Sequence, residues 1–128
     1  MSVFSPLTIG SLELPINLVQ GPLAGYSCAP FRELIESFEP IGYTTTEMIS
    51  AYNLAHQIEQ PRRYLYRGRN ERRLCYQISG NDPAILAAAT VRVVDLGADI
   101  VDLNCGCPQK KIRKKGCLLY TSPSPRDS

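Results

Sequence analysis

Residues 74–104 read LCYQISGNDPAILAAATVRVVDLGADIVDLN, and this stretch decides the fold. Leu74-Cys-Tyr-Gln-Ile-Ser79 is a short run of strand-forming residues. Asp82 can cap the helix that follows, Pro83 takes its first turn, and Ile85, Leu86, Ala89, Val93 and Leu96 line one face. Gly97 can adopt the left-handed stop, and Asp99-Ile-Val-Asp-Leu-Asn104 reads as the next strand. Strand, helix and strand joined by connections this short favour a parallel pair with a right-handed crossover.

The same rhythm continues toward the amino terminus. Gly42-Tyr-Thr-Thr-Thr46 is rich in β-branched and aromatic residues and predicts a strand ending at Glu47. Phe31, Leu34, Ile35 and Phe38 recur at helical spacing behind Pro30, predicting an amphipathic helix over 30–38 whose apolar stripe is covered. Before it, Pro15-Ile-Asn-Leu-Val-Gln20 predicts a strand that stops at Gly21-Pro22. Leu7-Thr-Ile9 and Leu12-Glu-Leu14 flank Gly10-Ser11 as a small hairpin. The class is α/β with a parallel sheet.

Two parallel architectures compete, the open doubly wound sheet and the closed barrel. No Gly-x-Gly-x-x-Gly follows any of these strands, so the usual dinucleotide signature of the open sheet is missing. Gln20, Glu47, Gln77 and Asn104 all stand at carboxyl ends of strands, the end that forms the active face of a barrel. Four strands make half of an eight-stranded barrel, which takes about 250 residues. Thr121-Ser-Pro-Ser-Pro-Arg-Asp-Ser128 has no periodic apolar face. The expectation is therefore a truncated chain whose last segment is a linker, a tail or foreign sequence.

Composition bounds the function. The chain has 128 residues, 44% hydrophobic and 20% charged, which describes one globular domain and excludes disordered and collagen-like classes. No stretch approaches the roughly 18 apolar residues of a membrane span, and MSVFSPLTIG has neither a basic nor an apolar leader region, so the expectation is a soluble, cytoplasmic protein. Five cysteines, Cys28, Cys75, Cys105, Cys107 and Cys117, with no secretory signal argue for reduced thiols. Cys105 and Cys107 are one residue apart and the chain has a single His, so no metal site is expected. Net charge is only +2, yet five of the 14 basic residues fall in Lys110–Lys115 and six more in Arg62–Arg73, placements that suit phosphate contact.

Gly21-Pro-Leu-Ala-Gly25 with Ala29-Pro-Phe-Arg32, Thr46-Glu-Met-Ile-Ser-Ala51, Gln77-Ile-Ser-Gly-Asn-Asp-Pro83 and Asp102-Leu-Asn-Cys-Gly-Cys-Pro-Gln-Lys-Lys111 together resemble the tRNA-dihydrouridine synthases, in that family's order and spacing. The resemblance covers roughly residues 7 to 117. It implies a parallel (β/α)8 TIM barrel that binds FMN, of which residues 1–117 form about the first half, with residues 118–128 as a Pro/Ser-rich tail not native to the family. It further implies that FMN, reduced by NADPH, reduces the C5=C6 double bond of uridines in tRNA, in a protein that is monomeric at full length and uses no metal or membrane.

By the same resemblance, Pro22, Leu23 and Ala24 lie against the flavin and Gln77 hydrogen-bonds it, Asn104 orients the base, and Lys110 and Lys111 meet the RNA backbone. Cys107 matches the proton donor, while Glu47 takes a family position with no chemical step. A thiol is a weak acid, which suits it to proton donation. Lys110 and Lys111 favour the thiolate, an effect the phosphates of a bound nucleotide would offset. Cys28, Cys75 and Cys105 read as packing residues and His56 as structural. The flavin-binding lysine, a histidine and the phosphate loop of the family belong to the second half-barrel, and a helical RNA-binding domain follows it.

Two other readings stand beside this one. A half-barrel leaves strand edges and apolar faces uncovered, so the chain alone could be a non-catalytic fragment that binds RNA weakly. Another FMN barrel acting on a free pyrimidine, such as a dihydroorotate dehydrogenase, performs related chemistry, but the Lys-Lys after Cys107-Pro108 favours RNA.

Overall fold

The structure, a computed structural model, describes residues 2–38 and 40–107. Lys110, Lys111, the rest of the basic run, Cys117 and the tail lie outside the described residues. The chain opens with the antiparallel hairpin β1 (Leu7–Ile9) and β2 (Leu12–Leu14), in which Leu7 faces Leu14 and Ile9 faces Leu12. Gly10 turns it with φ +60.

A parallel sheet follows, built around β5 (Leu74–Ser79). On one side β5 pairs with β6 (Ile100–Leu103) from Cys75↔Ile100 to Ile78↔Leu103. On the other side lie two short strands, β3 (Thr44–Thr45) and β4 (Ile49–Ser50). Thr45 pairs with Cys75 and Ile49 with Ile78, so four steps of chain run beside three. One extra residue in this strand re-aims the side chains of Thr46, Glu47 and Met48, as a bulge does. The predicted strand over 42–46 is thus shorter, and its continuation as β4 comes after an interruption that periodicity does not reveal.

The strand expected over 15–20 is reduced to one parallel bridge, Gln20 with Thr44. Pro15 has no N–H to donate, and the segment's backbone meets the sheet through Gln20 N–H to the Tyr43 carbonyl (3.1 Å) and Gly42 N–H to the Leu18 carbonyl (2.7 Å). Gly42 is required there, since a Cβ would stand 2.5 Å from the Ile16 carbonyl oxygen. Overall the described residues form a partial parallel α/β sheet, with consecutive strands side by side.

Helices cover one face. α4 (Pro83–Asp95) packs on β5 and α2 (Ala51–Ala55) on α4 and β4, and Ile49, Ala51, Leu54, Leu74, Tyr76, Ile78, Ala89 and Val93 form the buried core. α4 follows its sequence signals: Asp82 Oδ1 accepts from Ala84 N–H (2.8 Å) and Ile85 N–H (3.3 Å), and Gly97 has φ +94. Leu96 does not join the buried face; it sits at the helix cap, where the chain turns away, and is 44% exposed. A short α3 (Arg62–Leu65) lies between, tied in where Tyr76 donates its hydroxyl to the Leu65 carbonyl at 2.7 Å.

The first long helix, α1 (Ala29–Ser37), meets the expectation only in part: Phe31 and Ile35 of its apolar stripe are half-buried. Leu34 and Phe38 of the apolar stripe are 55% and 75% exposed, whereas Ala29, Arg32 and Glu36 are buried. Periodicity identifies a face but not which face is inside, and here polar bonds decide. Arg32 is fully buried and forms a two-armed ion pair with Glu71 while donating to the carbonyls of Ser27 (2.7 Å) and Tyr66 (2.9 Å). Glu36 accepts from Arg72 N–H (3.1 Å) and the Thr44 hydroxyl (3.4 Å).

Removing one partner of a buried ion pair strands the other charge, at a cost of about 3–5 kcal/mol. In the full-length protein that carries this segment, Arg32→Met is expected to lower the unfolding free energy by about that amount, and Arg32→Met with Glu71→Leu by clearly less. Chemical denaturation of the two variants checks this; equal losses would show that the pair's charge plays no part.

Candidate active site at the strand ends

Side chains alternate across a strand. Because Leu74, Tyr76 and Ile78 turn toward the helices, Cys75 and Gln77 belong to the opposite face of β5. Gln77 stands in register with Asp102 of β6, and its Nε2 donates to Asp102 Oδ2 at 2.7 Å. Asn104 comes two residues after Asp102, on the same face and just past the end of β6. Its Nδ2 donates to Gln77 Oε1 at 3.2 Å, and its Oδ1 accepts from Gly106 N–H and Cys107 N–H, each at 3.1 Å. Gln77, Asn104 and Cys107 are thus brought into one hydrogen-bonded set.

Pro22, Leu23 and Ala24 occupy an exposed loop beside the same end of the sheet. The fully buried Ser27 closes that loop, its hydroxyl accepting from Leu23 N–H (3.0 Å) and donating to the Leu23 carbonyl (3.1 Å). Glu47 anchors it from the sheet: Oε1 accepts from Gly25 N–H at 2.5 Å, where Gly25 has φ +86. Glu47 Oε2 accepts from Arg63 Nε (3.1 Å) and from its terminal nitrogen (3.0 Å), a bond that raises the Arg63 pKa further. Thr46 connects the two groups, its Oγ1 accepting from Gln77 N–H (3.1 Å) and donating to the Glu47 carbonyl (3.0 Å). Gln20, the fourth polar strand end, accepts from Thr45 N–H at 3.1 Å.

Several expectations change. Cys105 is exposed and Cys28 only half-buried, so of the three supposed packing cysteines Cys75 alone is buried. Cys105 lies in the loop past β6, where the described residues offer it no core. In the Arg62–Arg73 segment, Arg67 binds Asp99 (2.9 Å) and the carbonyls of Glu71, Arg72 and Gly97, and Arg63 binds Glu47, so these two serve the fold. His56 stacks on Tyr52, ring centroids 4.1 Å apart, and its Nδ1 meets the Tyr52 carbonyl at 2.9 Å. Among the described residues no group of three His, Cys, Asp or Glu could hold a metal ion, and no helix is long and apolar enough to cross a membrane.

Asp102, Thr46 and Arg63 are the partners that reading of the sequence missed. The two-residue spacing of Asp102 and Asn104 is a usable signal, since it puts both on one strand face. Arg63 has none, being 16 residues from Glu47 across two helical turns and a loop.

The face opposite the helices is also electrostatically marked. Burial, and then the Asp102 carboxylate, push the Cys75 thiol up to about 12. Tyr43 is raised by its burial and then by Cys75 and Asp102. Both groups stay neutral at physiological pH.

Comparison with known proteins gives a consistent set of relatives. The family model described as dihydrouridine synthase matches residues 18–124. The chain is 39% identical over 112 residues to tRNA-dihydrouridine synthase B of Pseudomonas aeruginosa, covering 87% of this chain and 33% of that protein. It is 38% identical over 121 residues to tRNA-dihydrouridine synthase B of Vibrio parahaemolyticus, covering 92% and 37%. To a probable tRNA-dihydrouridine synthase of Treponema pallidum it is 34% identical over 116 residues, covering 90% and 34%. The chain thus spans about a third of the length of the curated relatives it matches.

The raised Cys75 value makes a stability prediction. The unfolded thiol ionises near its ordinary 9.0 and the folded one near 12, so the unfolded state releases its proton first. The stabilisation is complete below about pH 9 and is lost progressively as pH rises from there toward 12. Cys75→Ala in the full-length protein should show a shallower fall in unfolding free energy between pH 8.5 and pH 10.5, roughly the range in which that loss begins. An unchanged slope would remove Cys75 from the alkaline response.

Proposed function

The chain belongs to the dihydrouridine synthase family, and from that premise we propose that it is the amino-terminal part of a flavin-dependent enzyme that reduces uridine to dihydrouridine in tRNA. The names of the relatives support the reaction and the substrate. The observation that carries the site is the convergence of Gln77, Asn104 and Cys107 at the carboxyl ends of adjacent parallel strands. That end is where a TIM barrel keeps its chemistry. In this reading residues 1–117 are the first part of such a barrel. The whole protein is a cytoplasmic monomer.

The residues present fit one side of a flavin. Leu23, 49% exposed, and its neighbours Pro22 and Ala24 offer an apolar surface for a ring face. An amide side chain has two N–H donors and two oxygen lone pairs. Gln77 uses one N–H on Asp102 and one lone pair on Asn104, which leaves one of each for a ring edge. Asn104 has both lone pairs engaged by the loop and one N–H left, suited to a uracil carbonyl. The grip on the FMN phosphate comes from the remainder of the longer protein.

When bound, FMN reduced by NADPH supplies the hydride that adds to C6 of the uracil. Asn104 orients the base, and the Cys107 Sγ–H gives its proton to C5, so that the pair of atoms added is H2 and the thiolate recovers its proton from water. The base must leave its stack to reach this face, so the protein holds RNA by its backbone, with Lys110 and Lys111 on phosphates.

Cys107→Ala in the full-length protein should keep FMN and its reduction by NADPH while dihydrouridine formation falls about 10²–10⁴-fold, the usual worth of a positioned proton donor. Stopped-flow flavin absorbance and nucleoside analysis of the tRNA measure the two halves separately. Unchanged turnover would remove Cys107 from its role, and oxidation of a free pyrimidine without action on tRNA would point to the other class of FMN barrel.

A further inference from the structure

We infer that Asp102 is a positioning residue: its carboxylate sets the direction of an amide relay that runs through Gln77 and Asn104 and ends on the backbone of the Cys107 loop. The four contacts form one chain, Asp102 Oδ2 from Gln77 Nε2 (2.7 Å), Gln77 Oε1 from Asn104 Nδ2 (3.2 Å), and Asn104 Oδ1 from the N–H groups of Gly106 and Cys107 (3.1 Å each). An amide group can present either its oxygen or its nitrogen to a neighbour, so Gln77 and Asn104 between them have no intrinsic sense. A carboxylate only accepts. Opposite Asp102, Gln77 must present nitrogen; its oxygen then faces Asn104, which must present nitrogen in turn and send its own oxygen to the loop.

The strand register makes this unavoidable. Gln77 lies directly across from Asp102 in the parallel ladder, and Asn104 is the next residue on the same face of the chain leaving β6. Reversal of Gln77 would set its oxygen against the Asp102 carboxylate, acceptor against acceptor, and reversal of Asn104 would set its Nδ2 against two backbone N–H groups, donor against donor. The loop that carries Cys107 is therefore ordered by a charge outside it. Whether that order serves proton transfer rests on the proposed function; the relay itself does not.

Asp102→Asn tests it in the full-length protein. An asparagine at 102 can offer either atom to Gln77, so the sense of the relay is enforced only from the loop end and the loop is held less firmly. Amide hydrogen exchange at Gly106 and Cys107, read by residue-resolved mass spectrometry, should quicken about fivefold, the worth of one ordinary hydrogen bond. Adding Gln77→Glu to Asp102→Asn moves the carboxylate to the middle of the relay, where it accepts from both asparagines and turns Asn104 Oδ1 back to the loop, so protection should return. A residue that merely fills space would not be rescued by moving its charge to position 77.

Unchanged exchange in Asp102→Asn, or a double variant no better protected than the single, would overturn the inference. If Asp102→Asn does not fold, Gln77→Met removes the middle link at similar length: faster exchange at Gly106 and Cys107 supports the relay and unchanged exchange overturns it. The readout requires neither flavin nor RNA, so a wild-type protein that makes no dihydrouridine defeats the proposed function without deciding this result.

Discussion

A guanidinium shut away from water must be given partners for its charge and its N–H groups, and much of this molecule is arranged around meeting that demand at Arg32. The helix α1 supplies the arginine, the loop leading into it supplies the Ser27 carbonyl, and the segment after α3 supplies Tyr66 and Glu71. Glu71 also accepts from Gly68 N–H, so the carboxylate is itself held on more than one side. Two stretches distant in sequence, residues 27–32 and 66–71, are fixed to one another at a single point. Such a pair adds little net stability compared with well-packed apolar residues, but it specifies one arrangement strongly, because each alternative leaves a buried charge alone. The outward turn of Leu34 and Phe38 follows from it.

The consequence reaches the site through Ser27. Its carbonyl is bound to Arg32 and its hydroxyl closes the loop on Leu23, so the residues proposed to meet a flavin hang from the buried pair at one end. Glu47 holds them at the other, through Gly25 N–H. Glu47 reaches that amide from the interrupted strand where four residues run beside three. A regular continuation from Thr45 to Ile49 would place the carboxylate differently, so the irregularity in the ladder and the position of the loop are one feature.

The parts legible from sequence are those governed by local rules. α4 announced itself through Asp82, Pro83, its apolar spacing and Gly97, and β5 and β6 through runs of strand formers that have the right length. Gln77 and Asn104 could be placed at strand ends because the strands themselves were clear. The failures come from interactions that join distant segments. Nothing near Arg32 in the chain indicates Glu71, so periodicity finds Phe31 and Ile35 but not the buried polar face of Arg32 and Glu36 beside them. The single bridge at Gln20 depends on how Gly42 lets the backbone of Ile16 approach, which no run of residues encodes. Asp102 was in view as part of a motif, yet its bond to Gln77 depends on register between two strands.

The account stands or falls on the reaction. Full-length protein carrying this segment, loaded with FMN, should be incubated with unmodified tRNA and NADPH, and the tRNA digested to nucleosides and weighed. The prediction is a uridine that has gained H2, formed only when NADPH is present. Folded, flavin-loaded protein that consumes NADPH and leaves every uridine unchanged would contradict it.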